Sequence, residues 1–293
     1  MKFSTSRPRR LAAGVVAMGG AVGLLGLAPG TATADPTLPP NLAKYANCPI
    51  DNPEVASCLY IETYNTQLKV GKFDLRTTKP ITIEVGVKYP ESNNYEPITV
   101  APTNGHKVLT SAPIEVPGGV LGIPGAGIGP LAAYVTPEVT ALPTISIDNL
   151  LSRQGTAFGL KVKAKVHNPF TDVLSILGPG CYIGSNSSPI ALNLTTGTTA
   201  PPAPNRPITG AIAPGTAEGA GIKFDDVKAV DNAFAAPGAS GCGTPFGWLN
   251  PTVNLIAGIP KAAGNNTAVL DADVSITDAN EVREALGLDP VYQ

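Results

Sequence analysis

The feature that most constrains this chain is a set of segments in which apolar and polar residues alternate. Ile81, Ile83, Val85, Val87 and Tyr89 alternate with Thr82, Glu84, Gly86 and Lys88. Leu160, Val162, Ala164 and Val166 alternate with Lys161, Lys163, Lys165 and His167; Ile190, Leu192 and Leu194 repeat the pattern; and Ala268, Leu270, Ala272, Val274 and Ile276 oppose Val269, Asp271, Asp273 and Ser275. A period of two sends successive side chains to opposite faces of a strand, so each segment has one dry face and one wet face. Half-buried strands of this kind belong to antiparallel sheets, whereas a parallel α/β sheet shows continuous apolar strands separated by long amphipathic helices. The expected fold is therefore mainly β, an antiparallel β-sandwich-like packing with Gly/Pro-rich loops.

Helix signals are few. Asp278 with Glu281 has the spacing of a capping box and predicts one short C-terminal helix over 279–286, stopped at Gly287. Asn250-Pro251 offers an N-cap and a first-turn proline for a shorter segment ending before Gly258. Asn104-Gly105, between the apolar runs 98–101 and 107–110, predicts a tight hairpin, because these residues readily adopt positive φ. The chain carries 32 Gly and 30 Pro among 293 residues, yet 43% of it is hydrophobic, which reads as turn-rich and folded rather than disordered. No repeat of 20–50 residues is evident, which argues against a solenoid or propeller.

The N-terminus carries an address. Residues 1–10 are basic, 11–27 are uncharged and apolar, and Ala32-Thr33-Ala34 supplies the small residues of a cleavage site. This predicts a signal peptide over 1–34, cleaved near Ala34, and a product that is secreted or associated with the cell envelope. Gly14, Gly19, Gly20, Gly23 and Gly26 weaken the alternative of a permanent anchor. Arg9-Arg10 leaves the general and twin-arginine export routes both open. A Pro-rich, flexible lead-in is expected over 35–43 and a single β-rich domain over 44–290, with a candidate subdomain break near 112–131. Apart from four basic residues in the leader, the chain has 16 basic and 22 acidic side chains, so bulk charge does not favour nucleic acid or anionic lipid.

Export places Cys48, Cys58, Cys181 and Cys242 in an oxidising compartment, where two disulfides are expected. Three pairings are open. The pairing favoured is Cys48 with Cys58 and Cys181 with Cys242, worth about 3 and about 4 kcal/mol by loop closure. No CxxC occurs and His106 and His167 are the only histidines, so neither a redox centre nor a cysteine-based metal site is expected, and no cofactor is implied.

Three features stand as candidate sites. The segment 116–133 lacks any charge, and its prolines and glycines exclude a regular spanning helix. Val120, Leu121, Ile123, Ile128 and Leu131 form its apolar interaction loop. The first reading is a loop folded over an open end of the sheet packing; the second, less favoured, is peripheral contact with lipid or a hydrophobic partner. Lys161, Lys163 and Lys165 share a strand face as a candidate cationic strip, beside the plainer readings of a solvated face or a lysine-guarded edge strand. Asp271 and Asp273, with Asp278 near, are calcium candidates, though without EF-hand spacing and more simply solvent-facing acids. Nucleophilic catalysis would have to recruit His106 or His167, and the stretch around Ser240 (Gly238-Ala239-Ser240-Gly241-Cys242) misses the GxSxG elbow at its last position.

The blocks GTAFGLKVKAKVHNPF (155–170), CYIGSNSSPIALNLTTGTTAPPAP (181–204), DNAFAAPGASGCG (231–243) and AGNNTAVL (263–270), after the frame NCPIDNPEVASC (47–58), resemble an uncharacterised family of secreted actinobacterial proteins. The resemblance spans most of the chain, from Cys48 to Leu286. It implies export and a shared architecture and brings no reaction, ligand or catalytic residue; the joint presence of CYIGS and SGCG agrees with pairing Cys181 to Cys242. The function expected is that of an exported, non-enzymatic binding or structural protein of the envelope or extracellular space, with an unidentified partner there. The alternative is a secreted hydrolase of lipid or glycan.

Overall fold

The computed structural model describes residues 37–119, 132–167, 180–243 and 247–292. From Pro36 onward the chain forms one compact unit. It is mainly β and sandwich-like. The strands fall into two antiparallel sheets. The first sheet contains β1 (Ser57–Val70), β2 (Phe73–Thr77), β3 (Ile81–Lys88), β4 (Ile98–Val100) and β5 (Leu109–Ser111). The second contains β6 (Ile114–Glu115), β7 (Tyr134–Val139), β8 (Thr144–Ile145), β9 (Phe158–His167), β10 (Tyr182–Ile183) and β11 (Ile190–Leu194). The chain then returns to the first sheet for β12 (Thr216–Glu218) and β13 (Gly221–Asp231), visits the second for β14 (Ala239–Ser240), and ends in the first with β15 (Thr267–Asp278).

Each sheet is organised on one long strand. β1 pairs along one edge with β3 and then β2, and along the other with β15. β9 has β7 and β8 on one side and β10 and β11 on the other. The dry faces of these strands meet in a common core, in which Leu59, Ile61, Ile83 and Val85 of the first sheet join Phe158, Leu160, Ile190 and Leu192 of the second. The alternation in the sequence is thus the alternation of the two sheets' inner and outer faces.

A smaller cluster lies on the other face of the first sheet. Leu42, Tyr45, Cys48, Val55 and Cys58 pack there against Ala279 and Val282. From the lead-in, Leu42 belongs to this cluster and the partly buried Leu38 packs against it, while 39–41 are exposed. The Cys48–Cys58 bond closes this layer, and Cys181–Cys242 ties β10 to the segment after β14; no cysteine is free. Arg283, only 3% exposed, anchors the first loop by donating to the carbonyls of Ile50, Asn52 and Val55.

Among the described residues there are three short α-helices: α1 (Ile147–Ser152), α2 (Asn250–Ala257) and α3 (Ala279–Ala285). α1 carries no signal that the sequence reading used; Ser146 caps it by accepting from the Asn149 amide at 3.3 Å. α3 follows Asp278, whose Oδ1 accepts from the Asn280 amide, but the predicted capping box does not form. Glu281 instead accepts from Thr277 Oγ1 and the Ala220 amide, because β12 and β13 turn back beside it. The predicted Asn104-Gly105 hairpin is also corrected. Both residues do have positive φ, but they lie in a 3-10 turn between β4 and β5, which pair with opposite ends of the same edge of β3. The turn is an excursion within one interrupted edge strand, because β3 offers a longer template than either short segment fills.

Candidate functional site

The two sheets are not packed equally along their length. At one end the inner faces leave a void of about 30 Å³, lined by Leu59, Ile61, Phe158 and Leu160, which is roughly one water's share of volume. At the other end lies a cavity of about 240 Å³. Phe73 and Leu75 of β2 line it from the first sheet; Val135 of β7, Val162, Ala164 and Val166 of β9, and Ile183 and Leu192 line it from the second. Ala164 and Val166 continue the dry face of β9 but remain half-exposed, and both line this space. No charged side chain is among the described lining residues, and Thr252 is the one with a polar side chain.

The cavity is roofed by α2, which contributes Thr252, Val253, Ile256 and Ala257. Pro251 in the first turn and Gly258 at φ +65° bound this helix as its sequence predicts, but the N-cap is Leu249, not Asn250. Asn250 Oδ1 accepts instead from the Cys242 amide at 2.9 Å, and Asn254 Oδ1 from the Ala239 amide at 2.7 Å. The last turn is held from the β1–β2 hairpin: the Lys72 amide donates to the Ala257 carbonyl at 2.8 Å and Lys72 Nζ to that of Leu255 at 3.0 Å. Gly71 makes this approach feasible, since a Cβ there would collide with the Ala257 carbonyl oxygen at a φ of +60°. The roof is therefore tied to both sheets, and one tie adjoins the Cys181–Cys242 disulfide.

Phe234 also lines the cavity and is fixed through its backbone. Asn266 Nδ2 donates to its carbonyl at 3.0 Å while Asn266 Oδ1 accepts from the Gly71 amide. Asp231, 2% exposed, accepts from the amides of Asn193 and Ala233. Burial pushes its carboxyl above the ordinary 3.8, opposed by these amides and that of Phe234.

Most sequence-derived candidates lie elsewhere. Val120, Leu121, Ile123, Ile128 and Leu131 fall outside the described residues; of their flanks, Val116, Gly119 and Ala133 line the cavity. Lys161, Lys163 and Lys165 occupy the outer face of β9, a central strand rather than a guarded edge. Lys163 lies 3.7 Å from a Glu138 carboxylate oxygen and 4.3 Å from the Tyr182 ring centroid, which interrupts the strip. Asp271 accepts from Asn65 Nδ2, Asp273 pairs with Lys223, and Asp278 caps α3; no metal-holding cluster of three or more His, Cys, Asp or Glu occurs among the described residues.

Neither histidine lines the cavity. His106 follows the 3-10 turn on the edge of the first sheet, and His167 ends β9 on its outer face, Nε2 3.0 Å from Thr136 Oγ1. A contact unforeseen from sequence, Lys44 Nζ to Ser275 Oγ at 3.0 Å, resembles a serine–lysine pair. Its ammonium is engaged by Glu218 at 2.8 Å and Ser275 is 2% exposed, so it serves to anchor the N-terminal segment. No protein-family model, curated protein or solved structure matches the chain.

Proposed function

We propose that this is an exported, non-enzymatic binding protein whose ligand is an apolar small molecule held between the sheets. The observation that carries the reading is the 240 Å³ cavity whose described lining is apolar apart from Thr252. Apolar groups that enter such a space leave water at ~25 cal/mol per Å² of buried area, which favours an apolar occupant. A concave, largely apolar, pre-formed pocket is the usual form of a small-molecule site.

Export is supported by the basic and apolar leader, and both disulfides fit an oxidising destination. No helix among the described residues is long and apolar enough to cross a membrane. The reading is tested by titrating the oxidised protein with a neutral, environment-sensitive naphthylamine dye. Trp248, the single tryptophan, immediately precedes the roof segment and serves as energy-transfer donor. Saturable one-to-one binding with transfer from Trp248, abolished in urea, is expected. A folded protein that leaves the dye dark refutes the proposal.

A further inference from the structure

The cavity's ligand class can be narrowed, on the reading that it holds an apolar molecule: we infer that it takes the hydrocarbon tail of a single-chain amphiphile, whose head group stays in solvent beside Thr252. Three observations converge on this. The described lining offers no charge and a single hydroxyl, so a buried ionic or strongly polar group would lack partners and be excluded. The volume sets the length. Since an apolar cavity of ~150 Å³ holds one benzene, 240 Å³ scales to about ten carbon atoms.

The third observation is that the lining reaches solvent at α2. Thr252 is exposed, while Val253 and Ile256, on the same helix, are half-buried against the cavity. Trp248, two residues before α2, is 63% exposed, and Leu255 on α2 is 74% exposed. From Asn232 to Leu270 the chain carries one charged side chain, Lys261, and no carboxylate. Lys72 Nζ, held on the Leu255 carbonyl, is a cation beside this roof, but an exposed ammonium adds little to the binding of an anionic head group, so the tail carries the recognition.

The test is displacement of the naphthylamine dye by hexyl, octyl, decyl, dodecyl and tetradecyl maltosides below their micelle concentrations. Each methylene that enters should tighten binding about fourfold, with the gain ending near ten carbons. Decanoate should compete comparably with decyl maltoside. Ala164→Leu, which adds three carbons to the wall, should shift the end of the gain about three carbons shorter, and Leu192→Ala about three longer. Dye that binds but is displaced without chain-length dependence, or with a gain continuing undiminished to tetradecyl, overturns the inference while leaving the cavity as a site for compact apolar molecules. A strong preference for the carboxylate also overturns it. Failure of the dye itself removes the underlying reading and this one with it.

Discussion

Enlarging one wall residue separates a cavity from a close-packed core by the sign of its effect. Ala164 lies on β9 between Pro137 and Ile183 of its neighbours, with its side chain on the face that lines the cavity. In a close-packed interior, adding three carbons at such a position forces shifts that cost about 1–3 kcal/mol. Here the added carbons enter the apolar cavity. At ~0.8 kcal/mol per buried methylene, Ala164→Leu should stabilise the folded state by about 2 kcal/mol. For a domain of this size that is a rise in Tm of about 4–8 °C. The same substitution removes volume from the ligand, so dye affinity should fall as Tm rises. Calorimetry on the ligand-free oxidised protein and the dye titration measure the two effects separately. A lower Tm with unchanged dye binding would refute the reasoning, since it would mean that the position is already packed and the dye sits elsewhere.

Replacing Cys181 and Cys242 with Ala should destabilise the chain by about 4 kcal/mol, because the pair closes a loop of 61 residues, and should also weaken dye binding through the roof tie at Cys242; urea titration with the dye present measures both. Replacing Cys48 and Cys58 should cost about 3 kcal/mol and leave dye binding intact, since that bond lies on the opposite face of the first sheet. Arg283→Lys should cost about 2–4 kcal/mol by urea titration, because a single ammonium cannot reproduce the planar donors serving three carbonyls. Asp231 predicts a pH effect of unusual sign. Its folded-state pKa is raised by burial, so the folded form holds the proton more tightly than the unfolded one, and its contribution to stability improves as pH falls through the raised value toward 3.8. Asp231→Asn should remove that slope from the profile of Tm against pH; an unchanged profile would contradict the assignment.

The fold was legible where local pattern and tertiary environment coincide. β3 reads Ile81, Ile83, Val85 and Val87 as its dry face, and all four are buried, because the strand lies between β1 and the β4–β5 edge with one face on the core. Signals that need a specific partner were less secure. Glu281 has capping-box spacing, but spacing does not show that Thr277 and the Ala220 amide compete for its carboxylate. Asn104 and Gly105 announce positive φ correctly, yet positive φ serves an excursion along one edge as well as a reversal between two strands. In both cases the local chemistry is read correctly, while the partner is supplied by segments far away in sequence.

The candidate site was hidden for a related reason. Ala164, Val166, Leu192 and Phe234 look like any core residues, because a strand facing a filled interior and a strand facing a void present the same alternation. What distinguishes them is the distance between two inner faces, and that is set at the ends of the sheets rather than along the strands. At the packed end, Phe158 and Leu160 reach across to Leu59 and Ile61 and leave only about 30 Å³. At the open end, small Ala133 and Ala164 face the space, while the hairpin at Gly71, the asparagine ties at 250 and 254 and the Cys181–Cys242 disulfide hold α2 as a roof. Such ties are made through backbone and amide groups, so side-chain packing is not required to keep the roof in place, and the space beneath it can persist. A roof held only by apolar contacts would be free to settle into that space, as close-packed interiors do. The polar fastening of this helix is therefore the feature that makes a cavity between the sheets physically consistent with this chain.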